Sequence, residues 1–174
     1  MRSAEDMRRA VLDRAPSMDV VVMAAAVADY TASRAPEKLS KDADTFTLLL
    51  KKTPDILAEL GARRLATGEG PLLVGFAAET QQLVPHAIAK REKKHVDLIV
   101  ANDVSREDAG FDVDANAVTI IGPGGAPGGA GGNAGNAGNA DNAVETLPLQ
   151  SKARVAAEIL DRVEKLLTAR SVRR

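Results

Sequence analysis

Asp29 stands next to last in the run Met23-Ala24-Ala25-Ala26-Val27-Ala28-Asp29-Tyr30, and Lys38 and Lys41 follow in Pro36-Glu37-Lys38-Leu39-Ser40-Lys41. A lone carboxylate there could hold a cation or accept a ligand hydrogen bond, while the two ammonium groups could meet an anion such as a phosphate. The alanines matter because small side chains let a ligand approach the backbone closely. An ordinary strand-to-helix connection with solvated charges fits the same residues. Lys90 and Lys94 stand four apart, so on a helix their side chains leave one face and could grip adjacent phosphates, or simply line a solvated surface. Phe76, one residue after Gly75 at the end of an apolar run, is either a core ring or a wall for a base or sugar. Asn102 and Asp103 follow Ile99-Val100-Ala101. An amide there can donate to and accept from a polar ligand, or it can form a turn.

Other chemistries find little in this chain. His86 and His95 are its two histidines, and no Gly-x-Ser-x-Gly elbow or His-Glu-x-x-His helix supplies a nucleophile or a zinc site,. There is no cysteine, which removes disulfides, thiolate metal sites and a cysteine nucleophile, and agrees with a reducing cytoplasm,. Neither a Gly-x-Gly-x-x-Gly turn nor a Walker A lysine loop occurs. Lys and Arg number 23 against 24 Asp and Glu, so nothing global attracts nucleic acid or anionic lipid,. The three Phe and one Tyr are too few for a base-stacking platform,. Residues 1–15 carry charges at short intervals, unlike a signal peptide, and no run approaches the roughly 18 apolar residues that span a bilayer,. At 174 residues with 45% hydrophobic and 27% charged side chains, the composition is that of one soluble domain with a substantial core,.

The elements that must carry these residues are legible from pattern. Ser3 can cap a helix whose apolar positions Met7, Ala10, Val11 and Ala15 recur at helical spacing and which ends near Pro16,. Val20 to Met23 reads as a strand covered on both faces, and Phe46 to Leu50 as a second strand,. Thr53-Pro54-Asp55 predicts a helix start with Thr53 as N-cap and Pro54 at the first helical position, running to about Leu65,. Leu72 to Phe76 is a strand, Thr80 begins a helix carrying Leu83, Ala87 and Ile88 inward, and Asp97 to Ala101 is a further strand. Ala117 to Ile121 and Val144 to Leu147 predict a hairpin, and Ser151 to Leu167 a closing helix with Val155, Ile159, Val163, Leu166 and Leu167 buried.

Alternating strands and helices predict an α/β fold: a Rossmann-like three-layer αβα arrangement with a mostly parallel sheet and a C-terminal β-hairpin extension. Ligands in such sheets bind beyond the carboxyl ends of the strands, here Ala26 to Asp29, Phe76 to Thr80 and Ala101 to Asp103. Between the hairpin strands, residues 122–143 form a Gly, Ala, Asn and Pro tract. Such a tract buries too little apolar surface to offset chain entropy and is expected to be disordered.

Five blocks together resemble bacterial phosphopantothenoylcysteine synthetase, the ligase half of the bifunctional coenzyme A biosynthesis protein. They are Ala24 to Tyr30, Glu37-Lys38-Leu39-Ser40-Lys41, Thr53-Pro54-Asp55-Ile56-Leu57, Val74 to Thr80 and Asp97 to Asp103. Their order and spacing fit the family, as do Leu147-Pro148-Leu149 and Ser151-Lys152. The resemblance implies CTP-dependent joining of 4'-phosphopantothenate to L-cysteine through an acyl-cytidylate, with Mg²⁺, as a homodimer whose sites are completed across the interface. Carried over by residue, Met23, Ala24, Ala25, Asp29, Lys38, Pro54, Asp55, Ile56, Leu57, Phe76, Lys90 and Lys94 would contact the nucleotide. Ala25, Ala26, Asp29 and Asn102 would face phosphopantothenate. Lys38, on a flap, and Asp29 would be catalytic, with Asp29 also the magnesium ligand.

Two departures accompany the resemblance. Ser40 stands where the family commonly has a lysine, so Lys41 would have to compensate. The chain also begins after the family's N-terminal strand, glycine-rich turn and Ser-Ser-Gly stretch, as a truncated ligase domain or one completed by another chain. No flavin is expected, because the flavin-dependent decarboxylase half of the full-length protein is likewise missing. A non-catalytic α/β dimerisation or nucleotide-binding module is the alternative; a dehydrogenase is disfavoured by the absent glycine fingerprint.

Overall fold

The computed structural model describes residues 3–33, 45, 47–104, 114–124 and 141–172. Lys38, Lys41, the flap around them and most of the Gly-Asn tract lie outside the described residues. Ser3 caps α1 (Ala4–Arg14), its Oγ accepting the Asp6 N–H at 3.0 Å, and Pro16 ends the helix in a short 3-10 turn, Ala15–Ser17,. The chain continues as β1 (Val20–Met23), β2 (Tyr30–Ala32), β3 (Leu50–Lys52), α2 (Ile56–Thr67), β4 (Leu72–Glu79), α3 (Leu83–Lys94) and β5 (Leu98–Asp103). After these come β6 (Ala115–Asn116), β7 (Val118–Pro123), β8 (Asn142–Thr146), β9 (Gln150–Ser151) and α4 (Lys152–Val172).

One five-stranded sheet runs in the order β1-β4-β5-β7-β8. Its first three strands are parallel, and β7 and β8 add the expected antiparallel hairpin. Alternation along the strands sends Leu73, Ile99 and Ile121 to one face, where Leu12, Leu57, Leu60 and Ala87 of the first three helices pack,. Leu72, Val74, Leu98, Val100, Val118 and Ile120 face the other way, against Val155, Ile159 and Val163 of α4. Strands covered on both faces favour apolar side chains at successive positions, hence the runs in β4 and β5 and in β7, where the one buried polar residue, Thr119, pairs with the Thr146 hydroxyl,. Leu73, Val74, Val100 and Ile121 are fully inaccessible, and burying each such side chain stabilises the fold by roughly 1.5–3 kcal/mol,.

The structure departs from the sequence pattern in five places, the first being that β7 runs to Pro123 and β8 starts at Asn142, inside the tract 122–143 expected to be disordered. β1 is an edge strand rather than a fully covered one, and Val22 is 44% exposed. The strand expected at Phe46 to Leu50 lies later, as β3, and pairs antiparallel with β2 in a separate ribbon, leaving Leu48, Leu49 and Leu50 exposed. α2 is capped by Asp55 rather than Thr53 and runs on to Thr67, where Gly68 at φ 70 closes it in the left-handed conformation,. α3 begins at Leu83 rather than Thr80, after Gln82 at φ 48.

Asp97 locks the opposite edge of the sheet. Its Oδ2 accepts the Leu73 N–H at 2.7 Å and a short bond from Arg64, whose guanidinium also donates to the Pro71 and His95 carbonyls at 3.0 and 2.6 Å. Asp97→Ala leaves Arg64 and the Leu73 amide without their carboxylate, an expected cost of about 2–3 kcal/mol. Urea denaturation should show a lower midpoint with an unchanged slope.

Candidate functional site

Because β1, β4 and β5 are parallel, their last residues, Met23, Glu79 and Asp103, come to one edge of the sheet. Beyond Met23 the chain leaves the sheet, and Ala24, Ala25, Ala26 and Asp29 are all exposed. The β2–β3 ribbon is pinned beside them: the Thr53 N–H donates to the Asp29 carbonyl at 2.8 Å and the Thr53 hydroxyl to the Ala28 carbonyl at 2.5 Å. That long-range use of its hydroxyl is why Thr53 does not cap α2. Asp55 takes the role, accepting the Ala58 N–H at 3.1 Å,.

The lysines of α3 share a face, as their spacing predicts, and each meets a carboxylate. Lys90 Nζ lies 2.6 Å from Glu79 Oε1, and Lys94 Nζ 3.0 Å from Asp55 Oδ2. His86 Nδ1 stands 3.4 Å from the other oxygen of Glu79, whose side chain is only 10% exposed. Helical side chains tilt toward their N-terminus, so both ammonium groups are drawn toward the ligand edge, where α3 begins. A buried carboxylate left without a partner is costly, so Glu79 holds Lys90 in place while its other N–H donors stay available to an anion. At α2, one of the N-terminal amides that an anion could use is already taken by Asp55. Pro54 is exposed, and the Ile56 and Leu57 side chains are buried in the core beneath it.

Burial pushes the Asp55 carboxyl upward, but the Ala58 N–H and the Lys94 ammonium outweigh it and hold it below its ordinary value. A carboxyl lowered on folding contributes stability above the unfolded value of about 3.9 and loses it as pH falls through the folded value. Asp55→Ala is therefore expected to cost about 0.5–2 kcal/mol near neutral pH. The gap from the parent chain should close in urea titrations carried down toward pH 2 or 3.

On the α4 face the edge differs in character. Phe76 stands in step with Leu72 and Val74, yet the residue is 42% exposed, a wall rather than a core ring. Ala78 is exposed beyond it and pairs with Asn102. Asn102 Oδ1 is buried without a hydrogen-bond partner, and buried polar atoms are nearly always paired. The edge thus gathers Met23 to Ala26, Asp29, Pro54 to Leu57, Phe76 and Asn102, with Lys90 and Lys94 reaching it from the α3 side. The lysines and the Phe76-Asn102 shelf lie on opposite faces and meet only across the edge. Lys38 falls outside the described residues.

Among the described residues no three His, Cys, Asp or Glu side chains converge as a metal cage. A single exposed carboxylate, Asp29, suits Mg²⁺ that keeps waters and is held mainly by ligand phosphates. Sequence marks Thr53 as a helix cap and Glu79 as part of a strand end, but their holding of the Ala28 carbonyl and of Lys90 depends on contacts that neither spacing nor composition reveals. No helix among the described residues is long and apolar enough to cross a membrane.

Residues 1–167 match the family model described as the DNA/pantothenate metabolism flavoprotein C-terminal domain. The chain is 39% identical over 168 residues to the coenzyme A biosynthesis bifunctional protein CoaBC of Vibrio vulnificus (strain YJ016), covering 95% of this chain and 37% of that protein. It is 40% identical over 167 residues to the CoaBC of Bacillus subtilis (strain 168), covering 95% and 36%. Just over a third of those relatives' length is therefore spanned. The crystal structure of the C-terminal domain of a CoaBC superposes with a TM-score of 0.66 at 32% identity, over 97% of this chain and 65% of that one. A DNA/pantothenate metabolism flavoprotein from Streptococcus pneumoniae, 20% identical with a TM-score of 0.66 over 94% of this chain and 70% of that one, shares the fold.

Proposed function

As the chain belongs to the family of DNA/pantothenate metabolism flavoprotein C-terminal domains, whose similar members are coenzyme A biosynthesis proteins, we propose that it catalyses CTP-dependent ligation of 4'-phosphopantothenate with L-cysteine. The observation that carries this reading is the gathering of Ala24 to Asp29, Pro54 to Leu57, Phe76, Lys90, Lys94 and Asn102 at one sheet edge, although they are scattered over 79 positions of sequence.

A carboxylate oxygen of 4'-phosphopantothenate attacks the α-phosphorus of CTP, the bond to the β-phosphate oxygen breaks, and pyrophosphate leaves. The cysteine amine then attacks the acyl carbon of the acyl-cytidylate, forming the amide, losing a proton and expelling CMP. The first step brings an anion onto a polyanion, so fixed positive charge is the main requirement. Lys90 and Lys94 supply it from the α3 side, and Lys38 adds a third ammonium group. Phe76 offers a ring to the base or sugar, and the alanines let substrate lie against the backbone. When bound, Mg²⁺ supplies further neutralisation of the phosphates, with Asp29 as its protein ligand. The homodimer belongs to the same proposal, supported by the exposed Tyr30, Leu48, Leu49 and Leu50 around the ribbon.

Calorimetric titration with CTP and Mg²⁺, followed by a pyrophosphate-release assay with 4'-phosphopantothenate, tests the reading. Heat of binding, a raised melting temperature and pyrophosphate released only when both substrates are present are expected. No heat and no melting shift at millimolar CTP, for this chain and for the full-length protein, would overturn it. Binding without pyrophosphate release would favour a non-catalytic module.

A further inference from the structure

We propose that Gln150 and Asn102 together hold the secondary amide of the substrate arm, Gln150 donating to its carbonyl oxygen and Asn102 accepting its N–H. Among the described residues two side-chain polar atoms are buried without a partner, Asn102 Oδ1 and Gln150 Nε2. One is an acceptor and the other a donor. Two strand registers bring them to the same corner: Asn102 pairs with Val118, and Asn116, two residues before Val118, pairs with Gln150. Leu98, Val100 and Val118 face α4, so Asn102, in step with Leu98 and Val100, points the same way,. Gln150 lies two residues before the first residue of α4. Asn102 thus lies on the α4 side of the ligand edge beside Ala78, and Gln150 lies just before α4, one register step further along the same corner.

Leaving two buried polar atoms unpaired penalises the protein, and water or a ligand that completes them removes that penalty. A secondary amide presents one acceptor and one donor on separate atoms, the complement of this pair. The inference rests on the ligase reading, because 4'-phosphopantothenate carries one such amide. It adds Gln150 to the site and gives Asn102 a definite chemical duty: a substrate in which that N–H is replaced by oxygen would leave Asn102 unpaired and be rejected.

The test separates binding from folding. Calorimetry with 4'-phosphopantothenate should give a Kd raised roughly tenfold in Gln150→Met, the order expected for one lost buried hydrogen bond. Melting of ligand-free Gln150→Met should be at or above that of the parent chain, because an unpaired donor has been removed. The analogue with an ester in place of the amide should bind the parent chain roughly tenfold more weakly and show no such difference in Asn102→Leu. A Gln150→Met affinity equal to the parent's, or an ester that binds as tightly as the amide, overturns the assignment and leaves the ligase reading standing. A parent chain and full-length protein that both fail to bind 4'-phosphopantothenate overturn the two together.

Discussion

Gly61→Val is expected to lower the stability of this chain by about 3 kcal/mol or more, near or beyond the upper end for an overpacked core. Gly61 lies in the middle of α2, where a glycine ordinarily costs about 1 kcal/mol relative to alanine,. Propensity alone would therefore favour any replacement but proline. Packing reverses the sign: a Cβ at this position would lie 1.9 Å from the Lys94 carbonyl oxygen and 3.2 Å from the His95 Cβ. The obstructing atom is backbone in the last turn of α3, held by the bonds from the His95 and Val96 amides to the Glu92 and Arg91 carbonyls, both 3.1 Å. Relief requires moving one helix off the other, or α3 off the sheet. Thermal unfolding should shift down by roughly 6–12 °C. Gly61→Ala already carries the offending atom and should show most of the loss. The residue displaced is Lys94 itself, so the pair it forms with Asp55 should be disturbed along with the fold.

Lys38→Gln should reduce pyrophosphate release on mixing CTP with 4'-phosphopantothenate by roughly 10²–10³-fold, the effect of removing one well-placed group that stabilises developing charge. Glutamine keeps much of the side-chain length and can still donate a hydrogen bond, but it removes the positive charge. In the proposed ligation the attack joins a carboxylate to a phosphate that already bears negative charge, and the electrostatic penalty is greatest as the two oxygens crowd the phosphorus. Lys90 and Lys94 each face a carboxylate of the protein, so part of their charge is already balanced. Single-turnover measurements should show CTP affinity changed much less than the rate, whereas Lys90→Met should act chiefly on affinity. Equal rates for Lys38→Gln and the parent chain would remove Lys38 from the reaction.

Much of this architecture is legible in the sequence because its strands are buried on both faces and its helices have strong boundary residues. Ser3 before α1 is one case, and the apolar runs of β4, β5 and β7 are another. Where local preference and distant contacts compete, pattern misleads. Thr53 and Asp55 are both good N-caps, and the choice falls to Asp55 because Thr53 is used to hold the Ala28 carbonyl, 25 positions earlier. The β2–β3 ribbon shows no clear period because both of its strands are three residues long and fully exposed. At the site, residue types that suit ligands could be picked out one by one. Their division between the two faces of the sheet could not, since it follows from strand parity and helix placement together. The carboxylate partners of Lys90 and Lys94, like the unpaired state of Asn102 and Gln150, depend on three-dimensional contacts that neither spacing nor composition encodes.

The outer margin of β1 has a practical consequence. Four uncharged residues, Val20 to Met23, present backbone donors and acceptors that no other strand takes up among the described residues, and Val22 adds apolar surface there. Lysines, prolines and bulges are the usual guards on such a margin, and this strand has none of them. In a concentrated preparation it would act as an adhesive seam along which copies can stack strand to strand. Light scattering across a dilution series therefore belongs before any binding isotherm, because material lost to stacking would be read as a lower fraction of competent sites.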